Sequence, residues 1–170
     1  MLDGLLYPKS MAVIGASRAP GKVGYSILSN LIAAGYEGKI IPINPTTDEI
    51  LGLPCYPDVR EAGTDIDHCI IVVPPKAVMA ALESAAAVKA KACTVITAGF
   101  KEVGAEGAAK EKEMLNFCRK RQIRLLGPNC LGLINTENRM NASFAAQMPL
   151  PGGISVISQS GALCTAILDW

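Results

Sequence analysis

The chain has 170 residues, of which 50% are apolar, 18% charged and 5% aromatic, and its formal net charge is +1. That apolar share fills the core of one domain, or of one domain plus the start of another, and excludes a disordered chain. A charge so near zero gives no overall field for nucleic acid, and so few aromatics leave little to stack bases on, so any anionic ligand has to be held locally.

At the N-terminus Asp3 and Gly4 interrupt the apolar residues before Pro8, so no secretory leader is expected. No apolar run reaches the ~20 residues of a membrane span, and a cytoplasmic protein without membrane or nucleic-acid partners is the expectation. The six cysteines, Cys55, Cys69, Cys93, Cys118, Cys130 and Cys164, contain no C-x-x-C pair and mostly sit in apolar runs. They read as buried free thiols of a reducing compartment, and no metal site is expected.

Residues 11–24, MAVIGASRAPGKVG, run from a short apolar strand into a glycine-rich loop that opens an amphipathic helix. Such a turn brings backbone N–H groups and the positive end of a helix dipole to one anion. The spacing fits neither common variant. The dinucleotide fingerprint needs G-x-G-x-x-G, whereas Gly15 is followed by Ala16 and Ser17 and the next glycines are Gly21 and Gly24. A Walker loop needs a glycine and a hydroxyl where this chain has Ala16 and Val23. What remains is a longer loop carrying Arg18 and Lys22, two cations suited to a phosphate-rich ligand, with Gly24 letting ligand and backbone approach closely.

Helical spacing follows over 25–34, with Ile27, Leu28, Leu31 and Ile32 on one face and Gly35 as the stop. Residues 39–44 form a second strand, and Pro42 within it, which lacks a ladder donor, places it toward a sheet edge. The near-continuous apolar run at 68–75 predicts a strand buried on both faces and stopped by Pro74 and Pro75. An alanine-rich helix over 77–91, a strand over 93–97, a charged helix over 106–121 and a strand over 123–126 complete the series. In the charged helix Met114, Leu115 and Cys118 read as the inner positions. After residue 150 the PLPGG linker leads into a new strand, then a turn and a helix running to Trp170 with Ser158, Gln159, Ser160 and Gly161 at its N-terminus. This last unit reads as the beginning of a second domain in a longer protein, giving 1–150 and 151–170 as the expected division.

Strands alternating with helices at this spacing predict a doubly wound, Rossmann-like α/β fold with a parallel sheet and right-handed crossovers. Ligands of such folds lie beyond the carboxyl ends of the strands. The segments 16–23, 44–47, 73–76, 97–100 and 127–131 are therefore the candidate walls. A nicotinamide site usually places an acid at the end of the second strand, but that position is Asn44, followed by Pro45. An NAD-dependent oxidoreductase domain is disfavoured accordingly. His68, the lone histidine, begins an apolar strand and reads as structural, and Cys130 has no visible histidine to activate it.

Taken in order, the motifs VIGASRAPGKVGYSILSNL, INP, IIVVPP, VITAGF, GPNCLG and SVISQSGAL resemble the N-terminal CoA-binding domain of the NDP-forming acyl-CoA synthetases. That group includes ADP-forming acetyl-CoA synthetase and, more distantly, the alpha subunit of succinyl-CoA synthetase. The resemblance implies that acid, CoA and ATP become acyl-CoA, ADP and phosphate through an acyl phosphate and a phosphohistidine. It also implies that this portion holds CoA. Gly15, Ala16, Ser17 and Arg18 with Lys22, Val23 and Gly24 would meet the CoA phosphates, while Asn44 and Pro45 would border the adenosine. Val73, Pro74 and Pro75 with Ile96, Thr97 and Ala98 would line the pantetheine path, and Gly99 and Phe100 would lie near its reactive end. Asn129 and Cys130 would approach the meeting point of phosphohistidine and thioester, where Ser160 and Gly161 at a helix N-terminus would face the phosphoryl group. No catalytic residue is expected in this chain. The phosphorylated histidine would lie in a second domain of flavodoxin-like type, and ADP or ATP with Mg would be held by a nucleotide-grasp domain or subunit of the same, oligomeric enzyme. A regulatory CoA- or nucleotide-sensing module fused to an acetyltransferase is the alternative.

Overall fold

A computed structural model describes residues 2–168. A short helix α1 (Asp3–Leu6) precedes strand β1 (Ser10–Ile14), helix α2 (Val23–Ala34) and strand β2 (Lys39–Ile43). A small hairpin, β3 (Glu49–Ile50) and β4 (Leu53–Pro54), leads to β5 (His68–Ile71), α3 (Val78–Ala87), β6 (Ala92–Val95), α4 (Ala105–Lys120) and β7 (Arg124–Leu126). A second hairpin, β8 (Gly132–Asn135) and β9 (Met140–Ser143), and a last helix α5 (Gly161–Leu168) follow.

Five strands form a parallel sheet in the order β2-β1-β5-β6-β7. The chain winds from β1 out to β2, then returns past β1 and winds the other way, so the strand order reverses between β1 and β5. This is the doubly wound, Rossmann-like arrangement, and the reversal point is where such sheets open a crevice. Alternation along each strand sends residues to opposite faces. Met11 and Val13 of β1 and Ile70 of β5 join Ile27, Leu28 and Leu31 of α2 and Met140 and Ala142 of β9 in one core. Ala12, Ile14, Cys69 and Ile71 join Val78, Leu82 and Ala85 of α3 and Met114 and Cys118 of α4 in the other. Burial on both faces explains why β1 and β5 read as continuous apolar runs.

Pro42 lies where its missing N–H predicts. β2 is an edge strand, and its outer side carries an isolated bridge between Ile43 and Tyr56 in place of a partner strand of the sheet. Helix α2 ends at Gly35, whose φ of +73° lets its N–H and that of Tyr36 turn back to the carbonyls of Ile32 and Leu31. Its buried residues, Gly24, Ile27, Leu28 and Leu31, keep the three-and-four spacing. Ile32, expected on that stripe, is 42% exposed because it sits a further 100° around the helix. On α4, Met114 and Cys118 are buried but Leu115 is only partly covered.

Two expectations are corrected. Both hairpins escaped the sequence reading, since β3 and β4 are two residues each and β8–β9 lies beyond the last expected strand. The strand expected after the PLPGG linker is not formed: residues 154–157 have no regular secondary structure and no neighbouring strand among the described residues, and Ile154 and Ile157 are 91% and 99% exposed. Helix α5 does form, while Asp169 and Trp170, the expected end of that helix, lie outside the described residues. Four of the thiols, Cys55, Cys69, Cys93 and Cys118, are buried, whereas Cys130 and Cys164 are partly exposed. No helix among the described residues is long and apolar enough to cross a membrane.

Candidate functional site

The loops at the carboxyl ends of the strands are tied to one another in sheet order. Gly15 and Ala16 both donate their N–H to the carbonyl of Ile43, at 3.0 and 3.2 Å. Asn44, just past β2, donates its Nδ2 to the carbonyl of Ala16 at 2.7 Å, and its Oδ1 accepts from the backbone and hydroxyl of Thr46. Across the reversal point Val72 donates its N–H to Ile14, the Thr97 hydroxyl donates to the carbonyl of Val73 at 2.7 Å, and Asn129 donates its N–H to Thr97. The Cys130 thiol donates to the carbonyl of Val95 at 3.4 Å. The five wall segments therefore form one connected rim.

Glycine is required at the turn for packing. Gly15 has φ +94°, and a Cβ there would lie 2.9 Å from the Val72 carbonyl carbon and oxygen. At Gly24 a Cβ would run into the Gly15 carbonyl and the Ala16 backbone. This corrects the reason for that glycine: it lets the first turn of α2 press on the loop, as the third glycine of a dinucleotide fingerprint does. Ser17 accepts the Ala19 N–H at 3.1 Å and so shapes the bend. Arg18 and Lys22 are exposed and have no ion-pair partner among the described residues. They stand beside the N-terminal end of α2, where N–H groups and the helix dipole already favour an anion.

A cleft of about 570 Å³ opens over the ends of β5, β6 and β7. Of the candidate residues, Val23, Ile96, Thr97, Ala98, Asn129, Cys130 and Gly161 line it. None of its lining residues is charged. The turn residues Gly15, Ala16, Ser17, Arg18, Lys22 and Gly24 lie outside the cleft lining, as do Asn44, Pro45, Val73, Pro74 and Pro75. Gly99 is also outside it; its N–H donates to Glu102, whose carboxyl this bond holds below the usual range. The Phe100 side chain is a correction: it is 3% exposed and packs into the core on the α3 and α4 face, because the chain turns at Gly99, whose φ is +106°, and the alternation of β6 is broken before Phe100. Ser160 caps α5 by accepting the Leu163 N–H at 3.2 Å.

Leu131, the last residue of the expected wall segment 127–131, also lines the cleft, whereas the sequence reading missed Val72, Phe144, Ala162 and Thr165 as lining residues, along with Gln159, which it had placed only at a helix start. Phe144 comes from the unforeseen hairpin, for which the polar run TENR between two apolar stretches was the available signal. Burial pushes the Cys130 thiol up to about 11, so it is a poor nucleophile at neutral pH. His68 is fully buried, remote from the rim at the start of β5. Among the described residues no cluster of three or more His, Cys, Asp or Glu side chains is placed to hold a metal ion.

A doubly wound sheet with a glycine turn and free cations at its reversal point defines a domain for a phosphate-bearing cofactor. The chain belongs to the CoA binding domain family, which matches residues 9–136. It is 46% identical over 169 residues to an ADP-forming acetate–CoA ligase I of Archaeoglobus fulgidus, covering 99% of this chain and 24% of that protein. It is 43% identical to the alpha subunit of the ADP-forming acetate–CoA ligase I of Pyrococcus furiosus, covering 99% of this chain and 37% of the subunit. Among solved structures, the dinucleotide forming acetyl-coenzyme A synthetase 1 of Ca. Korarchaeum cryptofilum, in complex with phosphate and ADP, superposes with a TM-score of 0.95 at 40% identity. That match covers 99% of this chain and 36% of the other. The chain thus spans about a quarter to somewhat over a third of these three proteins.

Proposed function

We propose that this chain is the CoA-holding portion of an NDP-forming acyl-CoA ligase, which converts acid, CoA and ATP into acyl-CoA, ADP and phosphate. The observation that carries the reading is the order of the rim. Asn44 and Pro45 follow β2, the glycine turn with Arg18 and Lys22 follows β1, Val73 to Pro75 follow β5, and Ile96 to Ala98 follow β6, with Asn129 and Cys130 past β7. An extended CoA laid across these strands, which span ~19 Å at the usual strand spacing, meets polar groups at its adenosine end. Cations then meet its phosphates, proline-walled turns its pantetheine, and an uncharged cleft its thiol. Each contact matches the chemistry of the part of the ligand it faces.

The chain's own work is binding and orientation. The turn and the dipole of α2 fix the phosphates, and the rim hydrogen bonds hold the walls in place without ligand. The cleft excludes charge around the sulfur, so the thioester end sits among Thr97, Asn129 and apolar side chains. The lone histidine is buried and bonded within the sheet, so the phosphoryl-carrying histidine belongs to another part of the enzyme. ADP or ATP with Mg belongs to a nucleotide-grasp domain or subunit, and the division of this chain at residue 150 follows the same reading. Asn44 at the ribose position argues against a nicotinamide cofactor. Calorimetric titration with CoA, dephospho-CoA and NAD tests the reading: CoA should bind and NAD should not, and NAD binding as tightly as CoA would reject it.

A further inference from the structure

One aromatic residue on the rim is unusual in both exposure and support. Phe144 follows β9, lines the cleft and is 42% exposed. The backbone on both sides of it is held by a single side chain. Asn30 on α2 donates its Nδ2 to the carbonyls of Ser143 and Ala145, at 2.8 and 2.7 Å, straddling Phe144. Two buried polar residues add to the fixation. The Ser143 hydroxyl donates to Asn141 at 2.6 Å and accepts the Ala145 N–H, and Asn141 donates to the carbonyl of Gln147. Asn141 and Ser143 are 2% and 1% exposed. Three polar side chains are thus spent on a five-residue stretch whose one large apolar side chain, Phe144, is left uncovered at the cleft.

Val23, the first residue of α2, shares that cleft and is itself 38% exposed. Val23 and Asn30 are seven residues apart, two helical turns, and so lie on one side of α2. The same helix side supplies one apolar wall and the bracket that holds the other. Apolar side chains left uncovered on an anchored backbone in an uncharged cleft are what an uncharged organic group requires of a wall.

We propose that Phe144 sets the size of the acyl group admitted beside the thioester, with Asn30 as the residue that positions it. The inference rests on the CoA reading, which puts the sulfur end of the ligand in this cleft. A fixed ring limits the room for a substituent, whereas a ring free to swing would not.

The test is the affinity of the protein for CoA, acetyl-CoA and benzoyl-CoA, by calorimetry, in the parent and in Phe144→Ala, Phe144→Leu and Asn30→Asp. Phe144→Ala should shift the ratio of benzoyl-CoA to acetyl-CoA affinity toward the bulky ligand by roughly tenfold or more, the scale at which apolar pockets discriminate size. Phe144→Leu should fall between. Asn30→Asp, which keeps the shape but removes both donors, should move the ratio in the same direction, and should add little in the Phe144→Ala background. Loss of folding alone would weaken all three ligands together and leave the ratio unmoved. A ratio unchanged within about twofold in folded Phe144→Ala that still binds CoA would overturn the proposal and leave the CoA reading intact. Failure of the parent to bind CoA would overturn both.

Discussion

His68 Nε2 lies 2.7 Å from Thr94 Oγ1, a bond between adjacent strands β5 and β6 in which both residues are fully buried. The other ring nitrogen, Nδ1, has no hydrogen-bond partner among the described residues. Burial holds the imidazole well below its ordinary value of 6.5, at about 4. The unfolded chain therefore binds a proton near pH 6.5 that the native protein refuses until about pH 4. Stability contributed by the neutral ring is present in full above pH 6.5 and is lost as the pH falls toward 4, by on the order of 3 kcal/mol. Denaturant titrations between pH 7 and 4 should show this slope, and His68→Gln should flatten it. An equal slope in the variant would assign the loss to other groups.

The same burial bears on activity. His68→Asn in the enzyme should leave turnover within a few fold of the parent when stability is matched, as for a residue that neither carries nor positions the phosphoryl group. A folded variant unable to form phosphoenzyme would contradict the assignment of that histidine to another part of the enzyme.

Gly24→Ala tests the turn. The new methyl meets the Gly15 carbonyl and the Ala16 backbone, neither of which can move without shifting β1 or α2. We expect a cost of about 1–3 kcal/mol, typical of an overpacked contact, seen as a Tm lowered by several degrees together with weaker CoA binding. An unchanged Tm would show that the loop yields.

Arg18→Ala and Lys22→Ala should do the opposite. Both side chains are exposed and lack ion-pair partners among the described residues, so Tm should hold. CoA affinity should drop roughly tenfold or more, since a hydrogen bond to a charged group contributes about 1.5–3 kcal/mol. Titration with dephospho-CoA identifies which phosphate each cation serves. No change in either variant would place both in solvent.

Cys130 should alkylate slowly. With its thiol pushed up to about 11, the reactive thiolate is scarce at neutral pH, so iodoacetamide labelling followed by mass spectrometry should show a rate still rising about tenfold per pH unit from 8 to 10. Bound CoA should slow it further. A rate that levels off below pH 9 would contradict the burial argument.

The sheet was legible because its physics is local. Strands covered on both faces must read as apolar runs, as residues 10–14 and 68–71 do, and Pro42 marks an edge because a missing N–H is a property of one residue. The rim was legible for the same reason: glycine or proline must follow a strand that turns sharply, and Gly15, Pro74 and Gly127 do. The motif resemblance to the acyl-CoA synthetases agreed with the family match over residues 9–136. Only the folded chain decided which way side chains face once the strand ends. Phe100 turned into the α3 and α4 core, and Gly24 met the Gly15 carbonyl rather than open space. The Asn30 bracket around Phe144 joins residues 113 and 115 positions apart, contacts that no local pattern encodes. Residues 154–157 mark the limit from the other side: their pattern is that of a strand, but a strand exists only when a neighbour supplies the hydrogen bonds, and among the described residues none does.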